Sequence, residues 1–185
     1  NKNVFIQSYL PIFELFKVQI SLGQLPFYYV QNNLNIKPKV SKSLRGKIVL
    51  NPSNDSFENL LNKVLIEQIP FNFIENYNYI NEIAIDKFPK DPKAIISAVA
   101  LDQCELFPFW FARSSEKAPK LIGLQHGGNY GSAEVQTFED LEIKINDLYL
   151  TWGWSNKLNK KVIPFSSPKL LGRKTHSFKR CANTT

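Results

Sequence analysis

The sequence predicts an α/β fold in which a mostly parallel β-sheet is flanked by helices. Two observations lead to this prediction. Residues 93–99 and 120–124 are short apolar runs of the kind that form strands buried on both faces of a parallel sheet. Segments with apolar residues at helical spacing alternate with such runs along the chain, which is the order expected of consecutive β-α units.

The first half of the chain opens with a strand and then becomes helical. Residues 4–6 form a β-branched and aromatic run, and a helical repeat of apolar residues then extends from Ile12 to a stop at Gly23. The polar residues 31–47 predict an exposed connection. Asn54 or Asp55 caps a helix with apolar side chains at 57, 60, 61, 64 and 65, which Pro70 ends. Residues 71–86 are also expected to be helical.

The second half repeats strand and helix in alternation. Four strands are expected, at residues 93–99, 120–124, 147–152 and 161–165. Helices are expected at 102–117 and 138–145, with Pro108 in the first turns of the earlier one.

Composition and charge limit the class of protein. With 43% hydrophobic and 13% aromatic residues, the chain can form a globular core. The net charge of +7 does not indicate a nucleic-acid partner, because the basic excess lies in residues 151–185, which hold no acidic residue. No apolar window of about 18 residues predicts a transmembrane span. Two isolated cysteines favour a reducing compartment, so we expect a cytoplasmic protein, acting at the inner face of the membrane.

The candidate site is the segment Gln-His-Gly-Gly-Asn-Tyr-Gly, which directly follows the strand at 120–124. Ligands of parallel sheets bind outside the carboxyl ends of the strands, and glycines allow close backbone approach and anion binding by N–H groups. His126 is the candidate catalytic residue, as a general base towards a hydroxyl or as a partner of a phosphate. The alternative is a tight turn whose histidine bonds the backbone. The expected substrate-binding residues here are Gln125, Gly127, Gly128, Asn129, Tyr130 and Gly131.

Carboxylates and tryptophans extend this candidate site. On the helix at 138–145, Glu139 and Glu142 share a face whereas Asp140 points elsewhere. One carboxylate among Glu134, Glu139, Asp140, Glu142 and Asp147 could orient His126 or position an acceptor hydroxyl. Asp147 opens the next strand, where it caps or faces the site. The alternative for each carboxylate is a solvated surface. Trp152 and Trp154 follow that strand; their indoles stack on sugars or bases, or pack in the interior. Glu142, Asp147, Trp152 and Trp154 complete the substrate-binding set.

Several common signatures are missing from the sequence. His126-Gly127-Gly128 is similar to the oxyanion-hole element of lipases and esterases, but there is no G-x-S-x-G nucleophile elbow. There is no P-loop, G-x-G-x-x-G or H-E-x-x-H motif, and no Asp-x-Asp pair. We therefore expect a reaction without a metal ion or a bound cofactor.

Four segments together resemble a known family. These are Phe-Pro-Lys-Asp-Pro-Lys-Ala-Ile at 88–95, the glycine-rich segment with its strand at 121–131, the helix and Trp-Gly-Trp at 142–154, and Lys-Val-Ile-Pro at 161–164. They resemble the surface-carbohydrate transferases of O-antigen loci, which are distantly akin to capsule-polysaccharide and glycerophosphate-polymer transferases. The resemblance implies a glycosyltransferase-B-like architecture, in which two Rossmann-like domains face a cleft that contains His126.

The same resemblance implies a division of the chain. Residues 1–160 are expected to be a Rossmann-like acceptor-side domain, 161–171 the start of a donor-binding domain, and 172–185 an irregular basic tail. The family pattern fails after residue 171, so we expect a fragment that is inactive alone.

The resemblance gives the leading hypothesis for function. In that hypothesis the parent enzyme transfers an activated sugar or related group from a nucleotide donor to a surface-polysaccharide acceptor. The alternatives are an α/β-hydrolase-like esterase and a non-enzymatic binder of anions or nucleic acid through the basic C-terminal end.

Overall fold

A computed structural model describes residues 2–29, 39–48, 50 and 54–171 and confirms the α/β fold. Its five strands pair in parallel in the order β1-β2-β3-β4-β5. The strands are β1 Lys2–Ile6, β2 Pro92–Ser97, β3 Lys120–Leu124, β4 Leu148–Thr151 and β5 Val162–Pro164. This is the Rossmann-like, parallel sheet with flanking helices that the sequence predicts.

The strand order determines where polar loops can gather. Each strand lies beside its neighbours in sequence, so the order does not reverse as it does at the binding crevice of doubly wound folds. Because all five strands are parallel, their carboxyl ends share one edge, and the segments after β1, β3, β4 and β5 all begin there.

The segment predicted to open a second domain belongs to this sheet. β5 continues the hydrogen-bonded ladder, with Leu150 paired to Ile163. The donor-binding domain expected from residue 161 stays a prediction, and residues 172–185 lie outside the described residues.

The helices follow the predicted order, with two differences. They are α1 Ile12–Ser21, α2 Lys42–Arg45, α3 Ser56–Gln68, α4 Tyr77–Lys87, α5 Ala100–Gln103, α6 Phe107–Ser115 and α7 Thr137–Ile145, with 3-10 turns at Phe71–Phe73 and Pro168–Leu170.

The first difference concerns the helix expected at 102–117. It is divided into α5 and α6, and Pro108 lies in the first turn of α6, where a residue without an N–H costs no hydrogen bond. The second difference is α2, which lies inside the connection expected at 31–47; residues 31–38 are outside the described part of the chain.

The described residues divide into two compact units. The first contains the sheet, and its core joins Phe5, Leu15, Ile96, Val99 and Leu124. Through this core, α1 packs on strands β1, β2 and β3. The same sheet carries the candidate site.

The second unit lies within residues 30–91 and 101–118 and is organised around Arg45. Its guanidinium forms a two-point ion pair with Glu75, at 2.8 and 3.0 Å, and both side chains are less than a tenth exposed. Arg45 also donates to the carbonyls of Ile66, Glu67 and Ile69, which the end of α3 leaves without helical partners. One buried arginine thus joins α2, the end of α3 and the segment before α4.

The buried geometry of this pair predicts an effect of substitution on stability. Arg45→Met is expected to destabilise the second unit strongly, because it leaves the buried Glu75 carboxylate and three carbonyls without their donor. The matched control is Lys42→Met, which removes an exposed charge from the same short helix. Urea unfolding of both variants, monitored by circular dichroism, gives their midpoints. Equal midpoints would contradict the structural role assigned to Arg45.

The same pair predicts a pH dependence. Hydrogen bonds from Arg45, and then from the Ser41 amide, lower the pKa of Glu75 from 4.5 to about 2. Because the folded-state pKa is lowered, the carboxylate contributes stability above pH 4.5 that is lost as the pH falls towards 2. Glu75→Gln should flatten this part of the profile of stability against pH, measured by urea unfolding at each pH.

Candidate active site

A buried glutamine at the end of β3 holds two loops together. Gln125 is 2% exposed, and its backbone N–H continues the ladder by donating to Leu150. Its side-chain Nε2 donates to the Gly127 carbonyl at 2.7 Å. Its Oε1 accepts from the Trp152 amide at 2.7 Å and from the Trp154 indole at 2.9 Å. The side chain therefore ties the glycine-rich loop after β3 to the Trp-Gly-Trp turn after β4.

His126 follows directly and is held by two side chains. Its Nε2 lies 3.1 Å from Oε1 of Glu142, on α7, and 2.9 Å from the Tyr130 hydroxyl. The His126 side chain is 18% exposed and that of Glu142 is 6% exposed. Of the five candidate carboxylates, it is Glu142 that contacts His126, and the hydrogen bonds of the ring within the described residues are to side chains rather than to backbone.

Glu142 is itself fixed from β4. The hydroxyl of the fully buried Tyr149 donates to Oε2 of Glu142 at 2.9 Å. Burial, followed by the neighbouring Glu142 carboxylate, raises the pKa of Tyr149, so the phenol stays a proton donor. A Cβ on Gly123 would lie 2.7 Å from the Tyr149 ring, so the glycine in β3 gives this ring its space.

These contacts favour one tautomer of the imidazole. Glu142 accepts from Tyr149 with one oxygen, and its other oxygen is placed to accept from a protonated Nε2, beside which the Tyr130 hydroxyl also lies. The second ring nitrogen, Nδ1, then has a free lone pair, and it has no hydrogen-bond partner among the described residues. His126 is therefore oriented to accept a proton at Nδ1.

The three glycines of the loop have different roles. Only Gly131 adopts a left-handed backbone, with a φ of 74°, and a Cβ there would lie 2.6 Å from the Trp154 ring. Its N–H donates to Glu139 at 2.6 Å. Gly128, by contrast, is exposed and has open space at its Cβ position. The tight turn predicted from glycine content therefore depends on Gly131.

Consecutive backbone donors line the start of this loop. The N–H groups of Gly127, Gly128 and Asn129 have no acceptor among the described residues. Adjacent free N–H groups of this kind can bind an anion such as a phosphate oxygen.

Asp147 is not part of this arrangement. It precedes β4, so it lies at the amino edge of the sheet, where its carboxylate accepts from the Leu121 amide at 2.8 Å and lies 3.8 Å from Lys120. The other predicted residues, from Gln125 to Gly131 with Glu142, Trp152 and Trp154, are brought together at the carboxyl edge.

Both tryptophans are half-buried, and they differ in their contacts. Trp154 packs against Gly131, which matches the packing alternative. The indole N–H of Trp152 is buried and has no hydrogen-bond partner among the described residues. Lys169 lies over this ring, with Nζ 5.9 Å from the ring centre.

Sequence reasoning missed Tyr149 and Lys169. Tyr149 resembles any aromatic residue of a buried strand, and only its pairing with Glu142 across the α7–β4 turn gives it a role at the site. Lys169 lies in the 3-10 turn Pro168–Leu170, outside the glycine-rich and Trp-Gly-Trp segments on which the predicted site is based.

The described residues contain neither a group of metal-binding side chains nor a membrane-spanning helix. Within that part of the chain, no three His, Cys, Asp or Glu side chains are grouped so as to hold a metal ion. None of its helices is both long enough and apolar enough to cross a membrane.

The glycine geometry predicts different effects of two matched substitutions. Gly131→Ala should destabilise the protein by at least about 1–2 kcal/mol, the cost of a left-handed backbone with a Cβ, and the clash with Trp154 adds to it. Gly128→Ala should leave the stability nearly unchanged. Thermal unfolding of the two variants measures the difference, and equal losses would contradict the assigned geometry.

Comparison with known proteins agrees with a group-transfer site. The chain matches the model of the LIC12162 family transferase over residues 1–184. No curated protein and no solved structure matches it. The family match confirms the expectation of a transferase: the chain belongs to the LIC12162 transferase family.

Proposed function

We propose that this transferase is glycosyltransferase-like and moves an activated sugar or related group from a nucleotide donor to a hydroxyl of a surface-polysaccharide acceptor. One observation carries the proposal. His126 is oriented by Glu142 through Nε2, leaves Nδ1 without a partner among the described residues, and lies at the edge of the sheet where parallel folds bind ligands.

In the proposed reaction, Nδ1 of His126 removes the proton of the acceptor hydroxyl. The acceptor oxygen forms a bond to the transferred carbon as the bond from that carbon to the phosphate oxygen breaks. The electron pair leaves with the nucleotide, and the proton stays on the imidazole. The Glu142 carboxylate lies 3.1 Å from Nε2, so a negative group faces the imidazolium that forms.

The backbone donors of the loop support the same reaction. The free N–H groups of Gly127, Gly128 and Asn129 would receive the negative charge that builds up on the leaving phosphate. The Gln125 side chain donates a hydrogen bond to the Gly127 carbonyl, which orients the backbone of this loop. The proposal therefore needs no metal ion to balance charge.

The wider setting is also part of the proposal. The sheet would be the acceptor-side half of a glycosyltransferase-B-like enzyme, working in the cytoplasm at the inner face of the membrane, where nucleotide-activated donors are present. The partners would be a nucleotide-sugar donor and a carbohydrate acceptor.

Substitution of His126 tests the role of the general base. In the full-length enzyme, His126→Ala should lower kcat by about 10²–10⁴-fold, the usual contribution of a general base, with an unchanged fold by circular dichroism. The matched pair on α7 is Glu142→Gln and Asp140→Asn: the first should lower kcat by a smaller factor, and the second, at an exposed position, should not. Transfer of radiolabelled sugar from a panel of nucleotide donors provides the measurement.

A second experiment measures the tautomer of the His126 imidazole directly. Nitrogen-15 NMR of His126 should show the proton on Nε2 and a free Nδ1, and Glu142→Gln should weaken that preference. Full activity of His126→Ala, or a proton fixed on Nδ1, would remove His126 from the proposed role.

A further inference from the structure

A second group of side chains lies at the same edge of the sheet, apart from the histidine. Lys169, in the 3-10 turn after β5, places its Nζ 3.8 Å from the centre of the Tyr9 ring and 5.9 Å from that of Trp152. Tyr9 follows β1 and Trp152 follows β4, so the loops after three strands meet at one ammonium group. We call Tyr9, Trp152 and Lys169 the lysine–aromatic cluster.

The ammonium of this cluster is held by aromatic rings and forms no ion pair with a carboxylate of the described residues. Two aromatic rings attract it through their faces, which fixes a side chain that is otherwise flexible. No described carboxylate forms an ion pair with Lys169, and the residue is exposed. Its N–H donors are therefore available to an anion from solution.

A second donor in the cluster also has no acceptor. The indole N–H of Trp152 is buried and has no hydrogen-bond partner among the described residues. A buried donor without an acceptor is unfavourable, so such groups indicate a missing partner. A phosphate has several acceptor oxygens, so a single group can accept from both the lysine and the indole.

The backbone beneath Tyr9 is strained in a way typical of binding sites. Gln7 and Tyr9 have φ angles of 47° and 61°, in the left-handed region that residues other than glycine rarely adopt. The Tyr9 side chain packs against the core of the first unit, so the ring is a fixed platform for Lys169. Strain of this kind persists where the surrounding structure and a function require it.

We propose that the lysine–aromatic cluster binds a phosphate group of a substrate, with Lys169 and the Trp152 indole as donors. This inference rests on the proposed function, since it supplies that reaction with a phosphate subsite at the same edge of the sheet as His126. Two substrates could bring the phosphate: the diphosphate of the nucleotide donor, or the phosphate of a lipid-linked acceptor. The shared chemistry is a phosphate ester recognised by one ammonium and one indole N–H.

Binding measurements test the subsite without requiring transfer. Isothermal titration calorimetry with inorganic pyrophosphate and with uridine diphosphate should show binding that Lys169→Gln weakens about tenfold or more, as expected for a hydrogen bond to a charged group. Trp152→Phe keeps an aromatic ring but removes the indole N–H, and should weaken binding by a smaller factor. Lys169→Arg should restore most of the affinity, and the matched control Lys160→Gln, an exposed lysine of the same unit, should leave it unchanged.

A vesicle arm separates the two sources of phosphate. Lys169-dependent binding to phosphatidylcholine vesicles that contain phosphatidic acid, but not to phosphatidylcholine alone, indicates a lipid-linked phosphate; binding of uridine diphosphate alone indicates the donor. Equal effects of Lys169→Gln and Lys160→Gln, or no binding of any probe, would overturn the proposal. His126→Ala should leave pyrophosphate binding intact. A failure of the phosphate subsite would therefore appear in binding, whereas a failure of the catalytic role would appear in transfer.

Discussion

The buried amide of Gln125 is the constraint on which the rest of the site depends. It joins two loops that follow neighbouring strands, and it can do so because an amide has both a donor and an acceptor at the end of one side chain. A glutamate in this position could not donate to Gly127, and a methionine could satisfy neither loop. Because the residue is almost fully buried, any unpaired group left behind would be costly. The Trp154 ring that Gln125 fixes then packs on Gly131, which closes the loop around His126.

The orientation of His126 is set from the opposite side, by α7 and β4. Gly123 leaves space for Tyr149, Tyr149 holds Glu142, and Glu142 holds the imidazole. Gly123, Tyr149 and Glu142 are buried, so the hydrogen bond between Tyr149 and Glu142 acts in a medium that screens charge weakly. The imidazole is thus positioned by a series of contacts that starts inside the sheet, and this gives the proposed base a fixed orientation on a glycine-rich loop.

The sequence predicted the sheet better than it predicted the site, for physical reasons. Strand β3 could be located because a buried parallel strand is apolar along its whole length, and the glycine-rich loop stood out directly after it. Helical spacing placed Glu139 and Glu142 on one face of α7, but it could not show which of the carboxylates contacts His126. The break between α5 and α6, and the link from Tyr149 to Glu142, depend on tertiary contacts that leave no periodic signal. Asp147 was grouped with the site because sequence proximity does not show which end of a strand a residue occupies.

The count of charged residues is a second example, because it does not show which charges a ligand would meet. The glycine-rich loop lies in a stretch rich in acidic residues, which argues against an anionic ligand if charges are only counted. In the structure, the Glu142 carboxylate accepts from His126 and Tyr149, and Glu139 accepts from the Gly131 amide, so both bind protein donors. The ammonium of Lys169 lies over aromatic rings, which hold a cation without neutralising it. A ligand at the carboxyl edge would therefore meet N–H groups and an ammonium that have no partner among the described residues. This local arrangement, rather than the net charge of the chain, supports the proposed phosphate-bearing substrate.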